Sequence, residues 1–354
     1  MDGIEDVPQL FGNPLEELML NILVDMPVDR EKLKQLQDVP GVRVQTIPPR
    51  EKPEPIPKEL AQDTNVLFCT FPPTNMEDCA ALRMIQISSV GYNQVVNIGL
   101  AERGMRVCNA QGVFDVPIAE WNLAMMFQLA RDMRGMFRNQ EQKIWDRSAR
   151  FQTEIRGFKV GIWGYGGIGR ETARLAKAMG MNVRVLVRDH VKERGHTYCV
   201  PGTGDPLGTL PDRVFTSGQE AAFLGDLDVL VVAVPLTRHT EGMIGEEELR
   251  ALPQTAFVLN PSRGPIICED ALLRALREGW IAGAALDTHY HYPMPPDHPL
   301  WDFPNVIMTP HISGSSQSTH FMERIWSIFL ENVRRVVQGE PLLNELSPSQ
   351  LDGQ

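Results

Sequence analysis

Apolar positions along the chain follow two rhythms. Short uninterrupted apolar runs, the pattern of strands buried on both faces, alternate with stretches whose apolar residues recur every three to four positions, the pattern of helices. The clearest case is Phe158 to Trp163, an apolar run followed directly by Gly164-Tyr165-Gly166-Gly167-Ile168-Gly169. A helix is predicted from Ile168 to Met179, and a second strand from Asn182 to Val187. Before this unit, residues 15–110 mix apolar runs with helical stretches, including Glu16 to Val24, Val66 to Cys69 and Met84 to Ser89. Gly41 to Val44 and Met105 to Cys108 are two more strand candidates, and Pro48 to Pro57 reads as an exposed loop. A long helix is predicted from Asp115 to about Arg134, with Asp115 as its cap and Pro117 in its first turn. Ile118, Leu123, Met126, Phe127 and Ala130 form its apolar face. Beyond the glycine turn, Val200 to Phe215 reads as a Gly- and Pro-rich excursion. Asp228 to Val234, Phe257 to Asn260 and Gly283 to Asp287 read as strands with polar residues at their C-terminal ends. The βα alternation predicts an α/β fold with a smaller doubly wound sheet ahead of the main one.

The glycine turn carries the first chemistry. In G-x-G-x-x-G between a strand and a helix, Gly164 permits the tight turn, Gly166 lets backbone approach a pyrophosphate, and Gly169 lets the helix lie close on the strand. The helix N-terminus then presents free amides and a positive dipole end to phosphate. Asp189, roughly twenty residues past the last glycine, is placed to bind an adenosine ribose. Strand, helix and acid agree, so a dinucleotide is expected.

Composition narrows the partners. A net charge of -11 without a basic run argues against nucleic acid. The acidic amino terminus is unlike a signal peptide, and no apolar run approaches membrane-spanning length, so a cytoplasmic protein is expected. The five cysteines are scattered without zinc-type spacing, which fits a reducing compartment. His289, His291 and His298 cluster in sequence, but His289 and His291 fall in a Pro-rich loop without Cys or Asp at ligand spacing. They read as surface histidines, and no metal is expected.

With these pieces in order, the chain resembles the D-isomer-specific 2-hydroxyacid dehydrogenase family over nearly its whole length. The resemblance is carried by Ser88 to Asn93, Ile118-Ala119-Glu120, the glycine turn, Pro235-Leu236-Thr237 with Thr240, Asn260 to Gly264, Leu286-Asp287, and Thr309 to Gly314. It implies a flavodoxin-like substrate domain made of residues 1–116 and 312–354, with a Rossmann coenzyme domain of residues 117–311 inserted into it. The active site would lie in the cleft between them, and the Val116 to Arg134 helix with the arm Gly135 to Ile155 would pair two copies into a homodimer. The implied substrate is a small 2-hydroxy or 2-keto acid. Backbone amides around Val90 and Gly91 would hold its carboxylate. Arg263 would face the keto oxygen as a permanent cation, and His311 would be the acid and base. The implied coenzyme contacts are Gly164, Gly166, Gly167, Ile168, Arg188, Asp189, Val234, Pro235, Thr240, Pro261, Ser262, Asp287, His311 and Gly314. Thr237 and Thr240 would meet a phosphate or ribose, and Asp287 the nicotinamide amide.

One position departs from the family. A Glu that commonly follows the strand-end Asp by five residues, and pairs with the active-site His, is Tyr292 here. A phenol can orient an imidazole but cannot favour its charged form as a carboxylate does. Asp297 is the nearest downstream carboxylate. In the related formate dehydrogenases a Gln takes the Glu position, and the loop Pro293 to Pro299 looks similar to theirs, but Phe114 stands where they carry an Asn. A formate-type oxidation without proton transfer and a non-catalytic dinucleotide sensor are therefore the alternatives. Arg188 suits a 2′-phosphate and Asp189 a 2′-hydroxyl, so NAD is expected with NADP left open.

Overall fold

A computed structural model describes residues 19–148 and 153–353. The chain divides into two compact units, Met1–Ala110 with Ile325–Gln354, and Gln111–Arg324. The boundaries expected at 116/117 and 311/312 thus move outward. Residues near each edge have their partners inside the second unit. Arg324 donates to the Val113 carbonyl at 2.9 Å, and the amides of Ile312 and Ser313 donate to Asp287.

The first unit is a five-stranded sheet of β1 (Leu20–Asp25), β2 (Val42–Thr46), β3 (Val66–Cys69), β4 (Met84–Ile87) and β5 (Arg106–Cys108). The order is β2-β1-β3-β4-β5 and every pair is parallel, the flavodoxin-like arrangement. β3 and β4 are buried throughout because both faces are covered, which is why β3 is an unbroken apolar run and β4 is apolar but for Gln86, whose side chain donates to the Cys108 and Asn109 carbonyls. Phe68 of β3 stacks on Phe329 at 4.3 Å, with Trp326 edge-on at 5.3 Å, so this part of the helix Phe321–Gln338 belongs to this core. Residues 16–18 of the Glu16 to Val24 stretch lie outside the described residues, and from Leu20 on it falls within β1. The Pro-rich segment is less detached than expected. Its Arg50 forms an ion pair with Asp25, which is 1% exposed.

The second unit is a seven-stranded parallel sheet. Its strands are β6 (Lys159–Trp163), β7 (Asn182–Val187), β8 (Arg213–Thr216), β9 (Val229–Val232), β10 (Phe257–Asn260), β11 (Gly283–Leu286) and β12 (Val306–Met308). Their order, β12-β11-β10-β9-β6-β7-β8, reverses direction between β6 and β9. Ligands of open α/β sheets bind at the carboxyl ends beside such a switch point, where the glycine turn leaves β6. Two edge strands, β8 and β12, had no sequence prediction.

The long helix is interrupted. Asp115–Ala130 ends at Arg131, Asp132 takes a left-handed φ of 42°, and a second helix runs over Met133–Glu141. Asp132 caps this second helix by accepting from the Gly135 amide at 3.1 Å. Part of the presumed arm from Gly135 is therefore helical, and its residues 149–152 lie outside the description. Asp115 is not a cap. It is the first helical residue after Phe114, and burial pushes its carboxyl up to about 6 against the opposing pull of Arg194, 3.6 Å away. Phe127 leaves the expected apolar face and is 41% exposed. No helix among the described residues is long and apolar enough to cross a membrane.

Candidate active site

The glycine turn has the geometry its spacing demands. Gly164 has φ 99°, and a Cβ there would lie 2.6 Å from the Ala233 carbonyl oxygen at the end of β9. A Cβ on Gly169 would lie 2.5 Å from the Gly164 carbonyl oxygen, so the helix Gly167–Ala178 packs as closely as only glycine allows. At Gly166 a Cβ would meet nothing within 4 Å, which is the open approach a pyrophosphate needs. That helix begins without a side-chain cap, so its first amides remain available to an anion. Gly167 has a reason the motif does not supply, since a Cβ would collide with the Asp115 carboxylate. Ile168 follows in the first turn.

Arg188 and Asp189 stand exposed just past β7. Asp189 accepts from the His190 amide at 2.7 Å, and that bond, more than the nearby His190 ring and Lys192, holds its carboxyl below the ordinary value. The excursion after β7 is tied down by residues that sequence reading missed. Tyr165 donates to Asp205 at 2.7 Å, buried Arg170 donates to the carbonyls of Asp205 and Lys192, and buried Glu171 accepts from the Gly204 amide. The consecutive polar residues Arg170-Glu171-Thr172 on the first turns of the Gly167 helix were the available signal.

The loops after β9 and β10 support one another. Ser262 donates its hydroxyl to the Val234 carbonyl, and Thr240 closes the Pro235 turn by donating to the Pro235 carbonyl at 2.6 Å. The Thr237 amide donates to the Thr240 hydroxyl at 2.7 Å. Asn260, 1% exposed, accepts from the Ser262 amide at 3.0 Å and donates to the Arg263 carbonyl at 2.9 Å. This side-chain turn folds Pro261 and Ser262 back and leaves Arg263 exposed. Gly264 follows because a Cβ there would sit 2.5 Å from the His289 carbonyl carbon.

Asp287 has a use that sequence reading missed. It is 0% exposed. One carboxylate oxygen accepts from the Thr309 hydroxyl at 2.6 Å and the Ile312 amide at 2.9 Å, and the other from the Ser313 amide at 3.0 Å and the Ser313 hydroxyl. A carboxylate offers about four acceptor positions, and all are in use. Asp287 therefore builds the 309–313 loop. That loop presents His311 at φ 57°, a left-handed conformation that non-glycine residues adopt only when their surroundings enforce it. The His311 amide donates to the carbonyls of Asp287 at 2.8 Å and Thr309 at 3.0 Å. Its imidazole is held below the ordinary histidine value by burial and then by Arg263, with Asp287 pulling the other way. Gly314 ends the loop against Ile118 and Phe114, where a Cβ would lie within about 3 Å of both.

Tyr292 lies beside His311, with ring centroids 5.7 Å apart at 56°. Its hydroxyl accepts from the His289 amide at 3.2 Å, so its contact with His311 is through the ring. His289 is not a surface histidine as expected but is 7% exposed. Its nearness to Gly264 is invisible in sequence because the two belong to different strand-end loops. Asp297 is exposed, and the charged neighbours that bear on His311 are Arg263 and Asp287. Glu269, His291 and His298 lie near enough to suggest a cation site. However, His298 Nδ1 accepts from the Leu300 amide at 3.2 Å, which puts the ring proton on Nε2, 2.6 Å from Glu269. A metal-ligating imidazole normally donates from its second nitrogen, so this arrangement is a hydrogen-bonded brace.

In the first unit, Ser88 to Asn93 forms the turn after β4. Asn109 donates to the Val90 carbonyl at 2.8 Å and the Ser89 hydroxyl donates to the Gly91 carbonyl at 2.6 Å. The amides of Val90 and Gly91 donate to no other described residue, and a Cβ on Gly91 would meet nothing within 4 Å.

The profile of a family described as D-isomer specific 2-hydroxyacid dehydrogenase, NAD binding domain, matches residues 123–313. A glyoxylate reductase of Korarchaeum cryptofilum is 33% identical over 272 residues, covering 75% of this chain and 76% of the relative. A glyoxylate reductase of Thermofilum pendens is 31% identical over 269 residues, covering 75% of each. A crystal structure of a D-isomer specific 2-hydroxyacid dehydrogenase family protein from Klebsiella pneumoniae 342 is 26% identical, with a TM-score of 0.66, covering 95% of this chain and 100% of that one.

Proposed function

The chain belongs to the D-isomer specific 2-hydroxyacid dehydrogenase family, and we propose that it reduces a small 2-keto acid to the 2-hydroxy acid with NADH, and catalyses the reverse. It is a nicotinamide-dinucleotide-dependent dehydrogenase acting on the CH–OH group of donors. The observation that carries the substrate reading is His311, fixed at φ 57° with a guanidinium close enough to depress its protonation, in the same unit as the glycine turn. Such a pair suits a keto oxygen that gains negative charge and then a proton.

The dinucleotide, when bound, supplies or accepts the hydride. Gly164, Gly166 and the first turn from Gly167 and Ile168 would hold its pyrophosphate, and the Val234–Thr240 and Pro261–Ser262 loops would line its path. Arg263, exposed and always charged, polarises the keto oxygen. His311 delivers the proton in reduction and removes it in oxidation. The amides of Val90 and Gly91 are the donors assigned to the substrate carboxylate. A formate-type oxidation and a sensor are not favoured, because the named relatives are reductases of keto acids and a sensor has no use for the bonds that fix His311.

The test is turnover of glyoxylate, hydroxypyruvate and larger 2-keto acids with NADH, followed by loss of nicotinamide absorbance, with formate and NAD as the opposite arm. Turnover of formate alone would replace the reading. Dinucleotide binding without turnover of any acid would favour the sensor.

Within this reading Asp189 selects NAD. Its carboxylate is exposed and ionised, able to accept from a 2′-hydroxyl and to repel a 2′-phosphate. Asp189→Ala is expected to weaken NADH binding and improve NADPH binding, shifting the ratio of initial rates severalfold towards NADPH. A wild-type preference for NADPH would instead make Arg188 the selecting residue.

A further inference from the structure

The family's carboxylate partner for His311 is absent, and the tyrosine in its place is engaged elsewhere. What holds the imidazole lies behind it. His289 Nε2 is 2.8 Å from the Thr309 carbonyl oxygen, and a carbonyl can only accept, so Nε2 carries the ring proton. The same oxygen accepts from the His311 amide at 3.0 Å. Two donors thus converge on the one carbonyl that closes the turn into His311. Thr309 is held from its other end as well, its hydroxyl accepting from Trp121 Nε1 at 3.1 Å and donating to Asp287 at 2.6 Å.

His289 is itself fixed. Its backbone is pressed against Gly264, and its amide donates to the Tyr292 hydroxyl. Its Nδ1 is buried and has no hydrogen-bond partner among the described residues. A buried lone pair left unpaired is unfavourable, and a phenylalanine in the same space would leave none. The ring that is present brings a donor on its other side.

We propose that His289 is a positioning residue for His311, holding through the Thr309 carbonyl the left-handed turn from which that imidazole projects. This rests on the reading of His311 as the acid and base. The groups bearing on the His311 ring are Arg263 from the loop after β10, Asp287 from the end of β11, and His289 and Tyr292 from the loop beyond it. Arg263 opposes a positive charge there, and Asp287 favours it.

The experiment compares His289→Gln, which keeps an N–H donor at about the reach of Nε2, with His289→Phe, which fills the space and donates nothing. Rates are measured across pH, and NADH binding by fluorescence. His289→Phe is expected to lose about ten- to a hundredfold in kcat, the cost of a displaced reacting group, with KM and NADH affinity changed less than threefold. His289→Gln is expected to recover most of kcat, because an N–H donor again reaches the Thr309 carbonyl. Wild-type kcat in His289→Phe overturns the proposal. So does a folded His289→Gln as impaired as His289→Phe, and this variant decides the matter if His289→Phe does not fold. His311→Asn separates the two readings. If it keeps its activity, the acid and base assignment fails; if it is inactive while His289→Phe is unimpaired, only the role of His289 fails.

Discussion

His311→Asn is expected to lose reduction of 2-keto acids by about 10²- to 10⁴-fold, the usual contribution of a general acid, while NADH binding persists. Asn fills similar space and tolerates a left-handed backbone, so the φ of 57° need not change. The pH profile of the wild type follows from the surroundings of the ring. Burial and Arg263 lower the protonation midpoint of His311 from its ordinary value near 6.5. Reduction consumes the protonated form, so its rate should fall as pH rises through a value below about 6.5, and oxidation, which needs the neutral form, should rise through the same value. Tyr292→Glu brings a carboxylate to a position whose ring lies 5.7 Å from that of His311. The fall in reduction should then move up by roughly one pH unit, if the new pair is near hydrogen-bonding distance and partly desolvated. An unchanged profile would mean that the carboxylate turns away from His311. Retained activity in His311→Asn would mean that proton transfer is not what this residue serves.

The parts of this site written in the sequence are those fixed by local backbone demands. Gly164, Gly166 and Gly169 are spaced for a strand, a turn and a helix within one continuous segment, so their roles follow from order alone. β3 and β9 were legible because strands covered on both faces are apolar throughout, and β4 because Gln86 alone interrupts its apolar run. β8 was not, since Arg213–Thr216 is an edge strand with its first two residues exposed. β12, Val306–Met308, is too short to show a period. The break at Asp132 has no glycine or proline to announce it, and depends on a carboxylate that reaches the Gly135 amide. His289 and Asp287 show the deeper limit. Asp287 stands at a strand end where a ligand contact is a sound expectation. Its use is set by Thr309, Ile312 and Ser313, more than twenty positions away, which close on it only when β11 and β12 pair.

That use makes Asp287→Ala the variant with the largest expected effect on the coenzyme unit itself. The substitution strands the Ser313 amide in a buried site, at about 1–3 kcal/mol, and leaves the amide of Ile312, a residue 56% exposed, unpaired at about the lower end of that range, so roughly 2–4 kcal/mol in all. The hydroxyls of Thr309 and Ser313 can turn to other acceptors and add less. Thermal unfolding should shift down by about 5 °C or more, since about 1 kcal/mol corresponds to roughly 2–4 °C for a unit of this size. Asp287→Asn separates charge from connectivity. Its amide oxygen can still accept from one or two of the four donors, whereas its NH₂ would face the others, so it should lie between wild type and Asp287→Ala in stability. Both variants should lose kcat along with stability, because His311 hangs from the loop whose amides Asp287 gathers, and its own amide donates to the Asp287 carbonyl. A residue that only touched the nicotinamide amide would behave differently, weakening NADH binding and leaving the unfolding temperature within about a degree of wild type. Calorimetry beside NADH titration distinguishes the two outcomes. An unshifted melting temperature with weakened NADH binding would restore the coenzyme contact that the buried, fully bonded carboxylate argues against.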